Sequence, residues 1–381
     1  MRSPFAAVLS LGNCPLDPSL GSGKSRLRWA AGLRANGFSV DTLDSVALTQ
    51  GMPRIGTRFR LALGALLKPK TANYDLVECA GGEFGWLARR LGPTSPRPLI
   101  VARTDGFELL NTHRAAQTGE KLSLKHKLTK PLHRRLDWWS FRYADAFVAL
   151  CGTDVRFAQE QGLFKKTNAA TINAGVDAEY LGIPFQAVKE HRVIYFGTWS
   201  QRKAPDRIVR VMSQVLGSDE RATFEVLGAS GAKAEIMAAF PEAQRGRITV
   251  HPKLPSSAVA ATLLKAKVMF FPSHYEGFGM ATSEAMGCSC AAVVTPTGFG
   301  ADLRDGEDAL VRDFDDEAGM VRNILALLSD DALRVKISRA GWERVQQLSW
   351  ENQGRQLAET YAHWLDAWDA SAGRFKAGFV Q

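Results

Sequence analysis

Short apolar runs alternate with helical stretches along almost the whole chain, and no other feature constrains its fold as tightly. Phe5–Leu11, Phe38–Leu43, Asp75–Cys79, Pro98–Arg103 and Ala146–Leu150 read as buried strands, with a helix about Arg26–Asn36 between the first two. Ala169–Ile172, Arg192–Phe196, Thr223–Leu227, Ile248–His251, Val268–Phe271 and Ala291–Val294 continue the series. Strands apolar on both faces belong in parallel sheets with helices covering each side. The runs are too many for one sheet, and the irregular stretch Asn173–Glu190, with Gly175, Gly182 and Pro184, is the best linker. The expected architecture is α/β, with two doubly wound domains facing a central cleft. Residues 1–178 form the first, 179–355 the second, and 356–381 a C-terminal helix packing back on the body through a Trp-rich face. Ligands of such sheets sit at the carboxyl ends of strands, so the cleft is the expected site.

Composition agrees with a globular protein. Apolar residues make up 45% of the 381 and charged residues 23%, which leaves no room for disorder or coiled coil as the main story. No apolar run approaches the ~18 residues of a membrane span. Met1–Leu11 reads as a first strand rather than a signal peptide, since no small-residue cleavage site precedes Pro15. The five cysteines are odd in number and form no C-x-x-C, which argues against a disulfide framework and a zinc site. Reduced thiols in a cytosolic protein are the expectation.

The charge is uneven. Residues 1–180 hold 25 Lys+Arg against 15 Asp+Glu, so the whole net charge of +9 lies there. Arg54–Lys70 carries five basic residues and no acid, with Phe59, Leu61, Leu63, Leu66 and Leu67 among them. Arg114–Arg142 carries eight, including Lys121, Lys125, Lys127 and Lys130, against Glu120 and Asp137, and ends near Trp138 and Trp139. A basic amphipathic stretch with aromatics suits an anionic lipid surface, a solvated helix face or nucleic acid. An anionic membrane surface is the favoured reading. No helix-turn-helix, RNA-recognition or zinc-finger signature supports nucleic acid, and none is expected.

Two glycine-rich segments follow strands. Gly21-Ser-Gly-Lys-Ser25 lacks the leading glycine of a phosphate-binding P-loop, because Pro18 stands there. Its backbone amides remain candidates to face an anion. Ser273–Gly287 places Gly277 and Gly279 ahead of a helix whose N-terminal amides and dipole favour phosphate. Glu276 and Glu284, eight residues apart, flank that loop. Carboxylates beside a phosphate site repel it, so sugar hydroxyls are their natural donors.

Glu276-Gly-Phe-Gly…Glu284-Ala-Met-Gly resembles the signature of retaining glycosyltransferase family 4, of the GT-B fold. Thr295-Pro-Thr-Gly-Phe-Gly-Ala-Asp302, Val193-Ile-Tyr-Phe-Gly-Thr-Trp-Ser-Gln-Arg-Lys203, Asn173-Ala-Gly-Val-Asp177 and Leu348-Ser-Trp350 are similar to the same family in the same order. The resemblance covers nearly the whole chain, more firmly in its second half. It implies that residues 1–178 bind the acceptor and residues 179–355 the nucleotide sugar, that Lys203 holds the donor diphosphate and that Arg202 shares this role near Gly197. It implies that Glu276 binds the donor sugar and stabilises the oxocarbenium-like state, and that Glu284 binds ribose hydroxyls. Backbone at Gly277, Phe278, Gly279 and Met280 would cradle phosphate and sugar, and Gly21 and Gly23 would form the first domain's glycine loop. Asp105 stands where the family has a histidine, either touching a sugar or capping the turn beside Gly106. Thr198 replaces the family's arginine after the strand glycine. Glu78 and Glu83 are either turn caps or acceptor contacts.

The expected function is retaining, metal-independent transfer of a sugar from a nucleotide sugar to a saccharide or lipid-linked acceptor. No cofactor is implied beyond the nucleotide-diphosphate sugar as co-substrate. The expected location is the cytoplasmic face of a membrane, in cell-surface polysaccharide or lipopolysaccharide synthesis. The alternatives are a GT-B nucleotide-sugar epimerase and an inactive, membrane-docked relative that binds without catalysis.

Overall fold

A computed structural model describes residues 6–17, 21–53, 56–117, 124–229 and 231–376, without the side chains of residues 108, 113, 115–117 and 124–130. Phe5, Pro18, Arg54, Glu120 and Lys121 thus lie outside the described residues, as do the side chains of Lys125, Lys127 and Lys130. The chain divides into two compact units, Met1–Gly175 with Trp350–Gln381, and Val176–Ser349. The break falls at Gly175 rather than at 178, and the C-terminal helix starts at Trp350 rather than at 356.

The first unit runs β1 (Ala7–Gly12), α1 (Gly21–Ala35), β2 (Ser39–Leu43), α2 (Ser45–Thr49), α3 (Thr57–Leu67), β3 (Leu76–Ala80), α4 (Gly85–Leu91), β4 (Leu99–Thr104), α5 (Glu108–Gln117), α6 (Leu124–Arg142), β5 (Ala146–Ala149), α7 (Gly152–Glu160) and β6 (Ala169–Thr171). Its sheet is parallel, in the order β2-β1-β3-β4-β5-β6, so the winding reverses between β1 and β3. Every residue of β3 and β4 is buried, as expected for strands covered on both faces. The C-terminal helix Trp350–Ala367 packs on α1, where Gly32 meets Gly354: a Cβ on either would lie 2.7 Å from the other's Cα. Tyr361 and Trp364 are its buried anchors.

The second unit runs β7 (Glu190–Phe196), α8 (Pro205–Ser218), β8 (Thr223–Leu227), α9 (Lys233–Ala239), β9 (Ile248–Val250), α10 (Ser256–Leu263), β10 (Ala266–Phe271), α11 (Met280–Gly287), β11 (Ala291–Val294), β12 (Leu310–Val311), α12 (Glu317–Ser329) and α13 (Asp331–Gln346). The parallel order β12-β11-β10-β7-β8-β9 reverses between β7 and β10. Both units are therefore doubly wound, as the strand–helix alternation predicts. The apolar runs fall on the strands of the two parallel sheets; the two-residue β12 and the short antiparallel pair Trp368–Asp369 and Arg374–Phe375 had no run to announce them. In each unit the reversal opens a crevice at the carboxyl ends of two neighbouring strands.

Cys79, Cys151, Cys288 and Cys290 are buried. Burial pushes the Cys79 thiol up to about 12 and the Cys290 thiol up to about 11, so neither is a thiolate at neutral pH.

Candidate active site

In the second unit the crevice lies beyond Phe196 of β7 and Phe271 of β10. After Gly197 the chain makes a short turn, Gln201–Lys203, and leaves it through Ala204, whose φ of 57° is left-handed. Pro205 then starts α8. That turn folds Lys203 inward, where it is 8% exposed and its ammonium lies 4.5 Å from the centre of the Phe271 ring. Lys203 Nζ donates to Glu276 Oε1 at 2.5 Å, and Arg202 Nη1 lies 3.9 Å from Glu276 Oε2. Burial pushes the Lys203 ammonium down from its ordinary value; the Glu276 carboxylate pulls it back only in part, and Arg202 adds to the lowering.

Glu276 is held from two sides. Its backbone N–H donates to Thr297 Oγ1 at 2.9 Å, and Phe299 N–H donates to the Phe278 carbonyl at 2.5 Å. The loop after β11 thus lies directly on the loop after β10. Gly298 makes that approach possible, because a Cβ there would come 2.4 Å from the Phe278 carbonyl oxygen, and its φ of 54° is left-handed as well. Gly279, at φ 90°, is the N-cap of α11 and has no side chain to close the helix end. A helix N terminus beside a buried ammonium is favourable for phosphate. Glu284 is buried on α11. Burial and the Glu284 charge push the neighbouring Tyr180 hydroxyl well above its ordinary range.

Residues 190–330 match the glycosyl transferases group 1 family. The match spans β7 to α12 and so includes Lys203, Glu276, Glu284 and the loop that holds them. A D-inositol 3-phosphate glycosyltransferase of Xylanimonas cellulosilytica is 27% identical over 190 residues, 48% of this chain and 44% of that protein. The O-antigen chain mannosyltransferase B of Escherichia coli is 26% identical over 181 residues, 46% of this chain and 47% of that one. The chain therefore spans about half the length of these relatives in the matched region. Sucrose-phosphate synthase from Thermosynechococcus elongatus has the same fold, with a TM-score of 0.73 over 95% of this chain and 100% of that one at 16% identity. Two Rossmann-like units of this kind are the GT-B fold.

Of the residues expected at the site, the second unit brings together Gly197, Arg202, Lys203, Glu276 and the segment Gly277–Met280, with Glu284 one turn further along α11. Asp105, Gly21 and Gly23 belong to the first unit. Gly21 and Gly23 occupy the first turn of α1 rather than a loop ahead of it. Gly23 lets the Pro15–Asp17 backbone pass, since a Cβ would come 2.4 Å from the Asp17 carbonyl oxygen. Asp105 lies 3.9 Å from Arg26 and 3.8 Å from Arg103. It does not cap the turn: Gly106 N–H donates to Thr104 Oγ1 instead. Glu78 is neither a turn cap nor a surface contact but a buried member of β3, bonded to Ser10, Arg103 and Tyr361. Phe271, Thr297 and Tyr180 complete the site unannounced. Thr297 lies inside a recognised motif, but only the fold shows that it holds the Glu276 backbone.

Proposed function

We propose that the chain is a retaining glycosyltransferase that moves a sugar from a nucleotide-diphosphate donor to a saccharide or lipid-linked acceptor. The observation that carries this reading is the buried Lys203–Glu276 pair beside the glycine-capped N terminus of α11 at the β7/β10 crevice. A diphosphate leaving group gains charge as the glycosidic bond breaks. Lys203, Arg202 and the α11 amides are the fixed positive groups that stabilise it, in the place a divalent cation would otherwise take. Diphosphate competes with Glu276 for the Lys203 ammonium. The freed carboxylate then accepts hydrogen bonds from sugar hydroxyls and steadies the oxocarbenium-like state. Retention follows if the acceptor attacks the face that the phosphate leaves, with the departing phosphate taking the acceptor's proton. Glu284 receives the ribose hydroxyls.

The name of one relative, an O-antigen chain mannosyltransferase, supports a cell-surface acceptor. The first unit supports a membrane-facing role on the cytoplasmic side. Its α3, α4 and α6 pack through Phe59, Ala62, Trp86, Leu136 and Trp139. They leave Leu67, Leu132 and Trp138 exposed beside Arg89, Arg90, Arg134 and Arg135. An open apolar groove of about 560 Å³ between Leu63, Leu66 and Trp86 is flanked by Arg89 and Arg90. That combination suits an anionic lipid surface. No helix of the described residues is long and apolar enough to cross a membrane.

Lys203→Ala and Glu276→Ala test the reading. Each removes a charge-stabilising group and should lower sugar transfer by about 10²–10³-fold or more while the fold, read by circular dichroism, is kept. Transfer at the wild-type rate in both variants contradicts it. Donor turnover without any acceptor would point to an epimerase instead.

A further inference from the structure

Helix α8 starts beside the Lys203–Glu276 pair and carries a charge that its packing does not require. Ile208, Val211, Met212 and Val215 of this helix are buried and apolar, and Arg207 among them is 8% exposed. A buried guanidinium is costly unless its charge and its N–H groups are matched. Arg207 is matched sparsely. Its Nη1 donates to the Pro272 carbonyl at 3.0 Å and lies 3.5 Å from His274 Nδ1. Its Nε has no hydrogen-bond partner among the described residues and lies 3.7 Å from Glu317 Oε1 at the start of α12. Burial works against the charge, and Glu317, which also pairs with Arg210, returns only part of it.

Pro272 to His274 is the segment that leads from β10 to Glu276. Thr295 Oγ1 donates to the Ser273 carbonyl at 2.6 Å, and the His274 N–H donates to the Arg202 carbonyl at 2.9 Å. Arg207 adds a side-chain anchor from α8. We propose that Arg207 is a positioning residue: through the Pro272 carbonyl it fixes the segment that presents the Glu276 carboxylate to Lys203, without itself contacting the nucleotide sugar. The proposal rests on the transferase reading for the chemistry that Glu276 performs. The turn that carries Lys203 runs straight into α8, so the same helix end sets Lys203 and, through Arg207, the approach to Glu276. Arg207 acts by contact rather than by its field, since the charges that act on Lys203 are those of Glu276 and Arg202. A shared anchor keeps two reacting groups in register, and small misplacements there are costly to catalysis.

Kinetics on the full chain test this, with UDP-glucose, UDP-N-acetylglucosamine, GDP-mannose and ADP-glucose as donors and water as acceptor. Release of the nucleoside diphosphate is the signal. Arg207→Met fills similar space without the N–H donors. It should lower kcat for the donor that the wild type turns over by about tenfold or more, while the Kd of the matching nucleoside diphosphate stays within about threefold. Its diphosphate affinity should also begin to fall at a lower pH than that of the wild type, because a displaced Glu276 no longer supports the Lys203 ammonium. Arg207→Lys, which can still donate to Pro272, should recover part of the kcat. A merely structural role would lower Tm and move neither the split between kcat and Kd nor the pH profile. Wild-type kcat in Arg207→Met, or a loss that Arg207→Lys does not relieve and that leaves the pH profile unmoved, overturns the proposal. Should Arg207→Met fail to fold, Glu317→Gln loosens the guanidinium from outside and should lower kcat by about threefold, and an unchanged kcat there overturns the proposal as well. A wild type that binds none of the nucleoside diphosphates and turns over none of the donors contradicts the transferase reading. An active wild type matched by Arg207→Met contradicts the positioning role alone.

Discussion

Lys203 and Glu276 hold each other in a buried site, so neither can be changed without changing the other. Glu276→Gln keeps the shape but removes the charge that offsets the desolvation of Lys203. The Lys203 pKa should then fall further, and the ammonium should be lost at lower pH than in the wild type. If the proposed diphosphate needs the ammonium, nucleotide affinity of Glu276→Gln should start to drop at a lower pH than that of the wild type, by up to ~10-fold per unit above the lowered pKa. Titration calorimetry at several pH values reads the difference, and parallel profiles would contradict the pairing. Lys203, Arg202, Glu276 and Glu284 were legible in the sequence because they sit in ordered local motifs. The Arg58–Glu83–Asp137 cluster of the first unit was not, because its members lie 25 and 79 residues from Arg58 and no local pattern joins them. Arg58 reads in sequence as part of a basic amphipathic stretch, yet it is turned inward. Lys68 of the same stretch donates to the Ala47 and Gln50 carbonyls.

Strands were read well because a both-face-buried strand is a continuous apolar run, and all residues of β3 and β4 other than Glu78 and Arg103 are uncharged. Arg103 was placed correctly in a strand, but Glu78 misled: a carboxylate near the end of an apolar run reads as the start of a loop. In the fold, Glu78 and Arg103 face each other across β3 and β4 at 3.2 Å, and Tyr361 of the C-terminal helix donates to Glu78 at 2.5 Å from 283 residues away. Burial pushes the Glu78 carboxyl up, but the Arg103 and Arg26 charges and the Tyr361 and Ser10 hydroxyls outweigh it and hold it below the usual carboxylate range. A depressed carboxylate contributes stability at neutral pH that is lost as pH falls through its lowered pKa. Glu78→Gln should cost about 3–5 kcal/mol at neutral pH, since Arg103 stays buried without its partner. The gap to wild type should close in acid, once the wild-type carboxyl is protonated; a gap that persists there would contradict the assignment. The helix itself is seated by the Gly32–Gly354 contact. Gly354→Leu should lower stability by about 1–3 kcal/mol by forcing it off α1, as seen by denaturant titration. A neutral result would mean the helix docks some other way.

At the scale of the whole molecule the chain separates charge as it separates chemistry. All of the net positive charge lies in the first 180 residues, and the buried Lys203–Glu276 pair lies in the second unit. If the exposed arginines of α4 and α6 meet an anionic lipid surface, sedimentation with anionic liposomes should be strong at about 0.05 M salt and weak at about 0.5 M, because exposed charges are screened. No binding at low salt would remove the membrane role. The central claim is that the buried Lys203 and Glu276 receive a nucleotide-diphosphate sugar. It is tested most directly by thermal shift with UDP, GDP, ADP, CMP and ATP, with and without magnesium, on the wild type and on Lys203→Ala. One nucleoside diphosphate near 100 times its Kd should stabilise the wild type by roughly 2.7 kcal/mol without needing the metal, and should lose most of that effect in Lys203→Ala. A shift only with ATP and magnesium, or a diphosphate shift that Lys203→Ala leaves intact, would contradict the account.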